Sequence, residues 1–427
     1  MRIRGFVTLL TVCLVIGPVH PAQENGLRTL ATTRDFFIGA AVSMQPLGSE
    51  DEYRQKLSRE FNVIVAENAF KFDAIHPEPD RYDFDDADAI VDFAAANNMK
   101  VRGHTLIWYN QLPAWVKGGS FSRDQAIDIL TKHIEMVVGR YRGKIWAWDV
   151  VNEAVDQNGD QKRWRKDSFW YRTIGPDHVR IAFEVARKAD PDALLYYNDF
   201  ASEEMDDRST AVYRLASELR QLNLIDGVGW QMHTTAGSKI KNEHRENIRR
   251  LGELGLEVSI TELDVRIKFP PDGSALEKQA ATYREATRFC LSEPNCRALV
   301  LWGFTDRYSW VPDFFPGDGD ALIFDANYRP KPAYTAIRES LEEALRGRPT
   351  IREASFEGND LIVRGDKLDK KGIVFVNWRA QKTAPGKGAD GTSLVVKDAA
   401  RGNQPQAGKL RLHVQSGDGK LSPEFAM

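Results

Sequence analysis

Cysteine is scarce: the chain has three in 427 residues, and Cys13 lies in an apolar N-terminal stretch. So few cannot frame a disulfide-stapled fold, and none of them forms the CxxC pair of a structural zinc site. Histidine is also sparse, eight scattered residues with no HExxH and no ligand-like cluster. GxSxG, the Walker A loop and a GxGxxG after the first candidate strand are missing too, so no catalytic metal and no cofactor is implied. Neither sign of charge dominates, with 58 Lys plus Arg against 61 Asp plus Glu and a net charge of -3. No basic run tracks a phosphate backbone, so nucleic acid is not an expected partner. Beyond the N-terminus no apolar run is long enough for a membrane span.

Residues 1–22 carry Arg2 and Arg4, an apolar run from Phe6 to Ile16, and then Gly17, Pro18 and Pro21. That pattern predicts a secretory signal peptide, too short to span a membrane, and hence a secreted protein, periplasmic or extracellular. His20 and Cys13 leave with it. Cys290 and Cys296 remain, six residues apart. In an exported chain a small local disulfide between them is expected, whereas two reduced, buried thiols would suit a cytosolic protein.

The 42% hydrophobic and 28% charged composition is that of a soluble globular protein able to bury a large core. Eight β-rich runs begin near residues 36, 61, 100, 145, 193, 227, 256 and 297. A segment of helical periodicity follows each, at 51–59, 85–97, 122–141, 177–189, 203–222, 241–254, 276–291 and 331–345. This alternation predicts right-handed βα units closing into a (β/α)8 TIM barrel of the α/β class over residues 23–345. An open doubly wound sheet is the alternative, disfavoured by the missing phosphate loop. After residue 345 the texture changes: nine of ten Trp lie between Trp108 and Trp310, and short alternating runs broken by Gly, Asp and Asn follow. Residues 346–427 are expected to form a small all-β domain.

A barrel builds its site at the C-terminal ends of its strands. Those ends carry Glu67, Asn68 and Lys71; His104 and Trp108; Asn152 and Glu153; Asn198 and Asp199; Gln231 and His233; Glu262 and Asp264; Trp302 and Asp306. Any one Glu or Trp is more often a packing or salt-bridge residue, but seven strand ends agree. Glu153 and Glu262, on strands four and seven, should face each other across the mouth. Paired carboxylates suit cleavage of a sugar acetal, and Trp faces suit stacking of pyranose rings.

The segments ENAFK (67–71), RGHTLIW (102–108), WDVVNE (148–153), YYND (196–199), SITELD (259–264) and LWGFTDRYSW (301–310) occur in this order. With that spacing the chain resembles glycoside hydrolase family 10, the β-1,4-xylanases, over about residues 30–345. The resemblance implies a retaining endo-1,4-β-xylanase acting on xylan and xylo-oligosaccharides, expected to be a monomer. It implies Glu153 as general acid/base and Glu262 as nucleophile, with Asn152 on the sugar 2-hydroxyl and His233 with Asp264 supporting the nucleophile. It also implies that Glu67, Asn68, Lys71, His104, Trp108, Gln111, Asn198, Gln231, Trp302 and Trp310 bind substrate, and that Gln111 and Trp310 crowd out a glucose hydroxymethyl. The family often carries a bonded cysteine pair at the place of Cys290 and Cys296. Tyr109 departs from the pattern, which has His there. A retaining β-1,4-glucanase and a carbohydrate-binding protein without activity are the competing readings; the second would be favoured by loss of either Glu. The closing VQSGDGKLSPEF of the C-terminal region resembles a TIG-type immunoglobulin-like domain. Trp378 and Phe375 make a thin sugar platform there, so a spacer is expected.

Overall fold

The structure is a computed structural model that describes residues 26–156, 164–271, 273–386, 393–399 and 410–427. The expected signal segment, 1–22, lies outside the described residues. Among the described residues no helix is long and apolar enough to cross a membrane.

Eight parallel strands form the central sheet: β1 (Phe37–Val42), β2 (Val63–Ala66), β3 (Lys100–Ile107), β4 (Ala147–Asn152), β5 (Leu194–Asp199), β6 (Gly227–Trp230), β7 (Glu257–Lys268) and β8 (Cys296–Leu301). Each pairs with the next, and β8 pairs with both β7 and β1, which closes the barrel. The strands are buried almost throughout because the barrel lumen covers one face and the helices the other. Close packing between the barrel strands and the helix layer demands glycine at one point. A Cβ on Gly103 would lie 2.1 Å from the Trp148 ring of the neighbouring strand.

Two expectations change in detail. The sixth apolar run was expected to continue as one strand through His233, but β6 ends at Trp230 and a separate short strand, His233–Thr235, pairs with β7. Met232 between them takes a left-handed φ of 61°, which breaks the extended chain. The fifth helix was expected from Glu203, but it spans Asp207–Gln221. Asp206 is its N-cap, accepting the Ser209 N–H, and residues 200–206 are left as a loop over the barrel mouth.

The chain beyond the last barrel helix, Pro332–Leu345, forms two four-stranded sheets. β9 (Thr350–Glu357), β10 (Asp360–Asp366), Thr383–Pro385 and Ser393–Val396 make one; Ile373–Val376, Arg379–Ala380, Arg411–Gln415 and Phe425–Ala426 make the other, and every pairing is antiparallel. Leu361, Val363, Val374, Val376, Leu394, Val396, Leu412 and Val414 form a core of their own. This unit docks on the N-terminal end of the barrel. Arg411 Nη1 donates to the buried Glu257 Oε1 at 2.9 Å, Tyr196 Oη donates to the other carboxyl oxygen at 2.8 Å, and Gln415 Nε2 donates to the Ser292 carbonyl at 2.7 Å. Cys290 and Cys296 form a disulfide beside that face, as expected.

The buried Glu257 gives the docking contact a measurable weight. Tyr196→Phe removes a wholly buried partner and should cost about 1–2 kcal/mol. Arg411→Ala removes a partly exposed, screened one and should cost about 1 kcal/mol or less. Denaturant titration checks the order; a larger loss for Arg411→Ala would contradict this account of the interface.

Candidate active site

Side chains from the ends of seven strands, β2 to β8, and the loops that follow them meet in one cleft of about 930 Å3 at the barrel mouth. Of the fifteen residues expected to act at the site, thirteen line this cleft, and Asn198 and Asp264 do not. Asp264 lies behind His233, against its Nδ1. Asn198 is a correction: the expected sugar contact is fully buried beneath the two glutamates. Its Nδ2 donates to Asn152 Oδ1 at 3.0 Å and to Glu262 Oε1 at 2.7 Å, while its Oδ1 accepts the Thr261 hydroxyl at 2.7 Å. Both amide hydrogens are spent inside the protein, so none is left for a sugar.

Glu153 follows the last residue of β4 in a left-handed conformation, φ 56°. Such a backbone is unfavourable for a residue with a side chain and persists where its surroundings hold it. Here the Glu153 N–H donates to the Asn198 carbonyl at 2.9 Å, and the Glu153 carbonyl accepts Arg165 Nε at 3.0 Å. Its carboxyl Oε1 accepts Gln231 Nε2 at 2.8 Å and Asn152 Nδ2 at 3.2 Å. Burial raises the Glu153 pKa, and the nearby charges of Asp199 and, more weakly, Glu262 push it the same way.

Glu262 lies within β7, its N–H bonded to the Gln231 carbonyl at 3.1 Å. Beyond the Asn198 bond, its Oε2 meets His233 Nε2 at 3.1 Å. Burial pushes this carboxyl up, but the His233 hydrogen bond and the charge of the His104 ring outweigh it, and the net direction is down. His233 also meets Asp264 Oδ2 through Nδ1 at 2.8 Å. Burial opposes a charged ring there, yet Asp264 and Glu262 on its two sides hold its pKa up at about 10. His233 is therefore an imidazolium near neutral pH, donating to both carboxylates. Asp264 accepts a further bond from Trp310 Nε1 at 2.8 Å, so the indole is fixed to the same chain.

The far wall is set by β2 and β3. Lys71 Nζ donates to Asn68 Oδ1 at 3.1 Å, and Gln111 Nε2 donates to the same oxygen at 3.2 Å. The ammonium lies 5.0 Å from the Trp108 ring centroid, and burial lowers its pKa, while burial raises that of Glu67. His104 stands edge-on to Trp302, centroids 5.2 Å apart, with Nδ1 against Asp149 Oδ2 at 3.0 Å. The wholly buried Arg102 donates to the same carboxylate through Nε at 3.0 Å.

Arg102, Asp149, Thr261 and Arg165 are parts of the site that sequence reasoning left without a role. The first three sit inside quoted motifs, and an Arg and an Asp in strands otherwise apolar on both faces need partners. That was a usable signal. Arg165 left none, because its link to Glu153 depends on a loop. Tyr109, the departure from the family pattern, stacks under that same Arg165 guanidinium at 3.9 Å from its ring centroid. Asp306, counted with the strand ends, lies outside the cleft, where its carboxylate binds Lys331 Nζ at 2.8 Å and caps the Leu322 N–H at 2.8 Å. The site thus holds two carboxylates on one buried amide network, one favouring its proton and one its charge, between aromatic walls. Such a pair can protonate one atom while attacking another.

Residues 26–340 match the family model described as glycosyl hydrolase family 10. The chain is 44% identical over 351 residues to endo-1,4-beta-xylanase B of Thermotoga neapolitana, covering 81% of this chain and all of that protein. It is 38% identical over 339 residues to endo-1,4-beta-xylanase 1 of Humicola insolens, covering 78% of each. Among solved structures, native xylanase 10B of Thermotoga maritima superposes with a TM-score of 0.73 at 43% identity, over 76% of this chain and 100% of that one. Xylanase 10B of Thermotoga petrophila RKU-1, solved with xylobiose, gives 0.73 at 44% identity, over 76% and 99%. This chain belongs to glycosyl hydrolase family 10.

Proposed function

We propose that this protein is a secreted, retaining endo-1,4-β-xylanase that cleaves internal bonds of xylan by double displacement. The observation that carries the reading is the pairing of two buried carboxyls in one cleft with unlike partners, neutral amides on Glu153 and the His233 ring on Glu262. Burial leaves the pKa of Glu153 raised, whereas the His233 contact leaves that of Glu262 lowered. The family membership, and the xylobiose bound by the Thermotoga petrophila relative, support the substrate.

In the first step Glu262 attacks the anomeric carbon as Glu153 gives its proton to the departing glycosidic oxygen, forming a glycosyl ester on Glu262. In the second, Glu153, now ionised, takes a proton from water, which attacks the same carbon and releases Glu262. His233, held by Asp264, keeps Glu262 charged by donating to it. Asn152 is the donor to the 2-hydroxyl of the sugar under attack, a bond that tightens as positive charge grows on the ring. Glu67, Asn68, Lys71, His104, Gln231 and the Trp108, Trp302 and Trp310 faces bind the sugars on the non-reducing side. Gln111 and Trp310 narrow that side against a hydroxymethyl and so favour xylose over glucose.

The division into a signal peptide (1–22), a catalytic barrel (23–345) and a small β domain (346–427), acting as a monomer, belongs to the same proposal. The separate β core and the helix end at Leu345 support the last boundary.

Incubating the mature protein with beechwood xylan and with carboxymethylcellulose should release short oligosaccharides early from xylan and little from the cellulose derivative. Comparable release from both would favour the glucanase reading, and silence on both from folded protein the binding-protein reading. Glu262→Ala should abolish turnover of every substrate. Glu153→Ala should lose about 10²–10⁴-fold on xylan, yet hydrolyse aryl xylosides with good leaving groups and form glycosyl azide when azide is added. Equal losses on both substrate types would remove the acid role from Glu153.

The pH profile follows from the two directions. Glu262 must be ionised, so activity falls as pH drops through its depressed pKa, below the ordinary glutamate value of 4.5. Glu153 must hold a proton, so activity falls as pH rises through its elevated pKa, above 4.5. A bell of kcat/KM with its two limbs on either side of that value is expected; a single limb would contradict the assignment.

A further inference from the structure

The loop between β5 and the helix Asp207–Gln221 carries a buried carboxyl that neither step of the reaction uses. Glu203 lines the cleft and is 9% exposed. Its Oε1 accepts the main-chain N–H of Met232 at 3.2 Å. Met232 is the left-handed residue, φ 61°, that separates β6 from the short strand His233–Thr235. On one side of it Gln231 donates to Glu153, and on the other His233 donates to Glu262, at 2.8 and 3.1 Å. One strained residue thus separates the hydrogen-bond partners of both glutamates, and a left-handed non-glycine residue keeps that conformation only while its neighbours hold it. The loop bearing Glu203 is itself fastened from outside the barrel mouth. The buried Asn247 of the helix Asn242–Glu253 donates through Nδ2 to the Ser202 and Glu203 carbonyls at 2.8 and 3.0 Å.

We propose that Glu203 is a positioning residue for both glutamates: by holding the Met232 N–H it locks the turn that aims Gln231 at Glu153 and His233 at Glu262. This rests on the xylanase reading, and Glu203 touches no reacting atom. The charged and titratable groups around its carboxyl are Asp199 at the end of β5, Arg208 on the helix Asp207–Gln221, and Glu204, Lys241 and His244 along the same stretch of cleft. Burial pushes the Glu203 carboxyl up to about 7, so it is shared between neutral and charged forms near neutral pH. Both forms keep an oxygen that accepts the Met232 N–H. Glutamine keeps that acceptor as well, whereas alanine removes it.

Full-length Glu203→Ala and Glu203→Gln are compared with the parent on an aryl xylobioside and on xylan, and the Glu262 pKa is followed by 13C NMR of labelled glutamate. In Glu203→Ala kcat should fall by about 10²-fold, as for a misplacement of about 1 Å, with KM changing less. Its Glu262 pKa should rise, because His233 no longer aims at it, and the acidic limb of the profile should move up with it. Glu203→Gln should recover most of the lost kcat and return the limb. If Glu203→Ala loses activity only in proportion to its folded fraction, with the Glu262 pKa and the limb unmoved, the role assigned to Glu203 is wrong. A parent protein inert on xylan overturns the functional reading instead, and the NMR titration still decides the positioning role in that event.

Discussion

A carboxylate taken out of water keeps its charge only if the protein returns the lost solvation as hydrogen bonds and opposite charge. At this barrel mouth the debt falls on Glu262, and the His233 imidazolium meets it while bound on its other side to Asp264. The rest of the site depends on that one contact. Asp264 also holds the Trp310 indole, so the carboxylate that anchors the His233 ion beside Glu262 also fixes an aromatic wall. The Glu153 carboxyl accepts from the neutral amides of Gln231 and Asn152, and burial with the nearby Asp199 charge raises its pKa. The difference between the two glutamates is therefore a difference in what stands next to them, not in depth of burial, since both are almost fully enclosed.

The amide of Asn198 ties the two together. It reaches Asn152, the neighbour of Glu153, on one side and Glu262 on the other, so the two glutamates are registered against each other through one buried amide. Below it, Arg102, Asp149 and His104 form a second buried chain, and Gly103 between them leaves room on the opposite face of the strand for the Trp148 indole, which packs there against Phe70. Charge-assisted hydrogen bonds of this kind hold the floor of the site in place. The opposite end of the barrel is closed differently, by the C-terminal β unit bridging to Glu257 and Ser292. The chain thus separates a chemical face from a docking face, as parallel barrels do.

Much of this was legible beforehand for a simple reason. Eight apolar runs in alternation with eight helical periodicities admit few closed arrangements, and barrel geometry then sends strand-end side chains to one mouth. Thirteen of fifteen expected residues reach the cleft on that logic. Position at a strand end does not reveal what a short amide bonds; the Asn198 amide is taken up beneath the cleft, bridging Asn152 on β4 and Glu262 on β7. The helix formers around Glu203 predict a helix from that residue, whereas the Asp206 cap starts the helix later and leaves the carboxyl in the cleft.

The sequence by itself determined the architecture and the placing of two glutamates and an aromatic lining at one barrel mouth, because periodicity and motif order are local properties of the chain. Only the tertiary structure decided which carboxyl keeps a proton and which a charge. That depends on burial and on the partners that β5, β6 and β7 bring within about 3 Å, the length of a hydrogen bond. Contacts of that kind join residues far apart in the chain, such as Gln231 to Glu153 and Asn198 to Glu262, and no spacing along the chain encodes them.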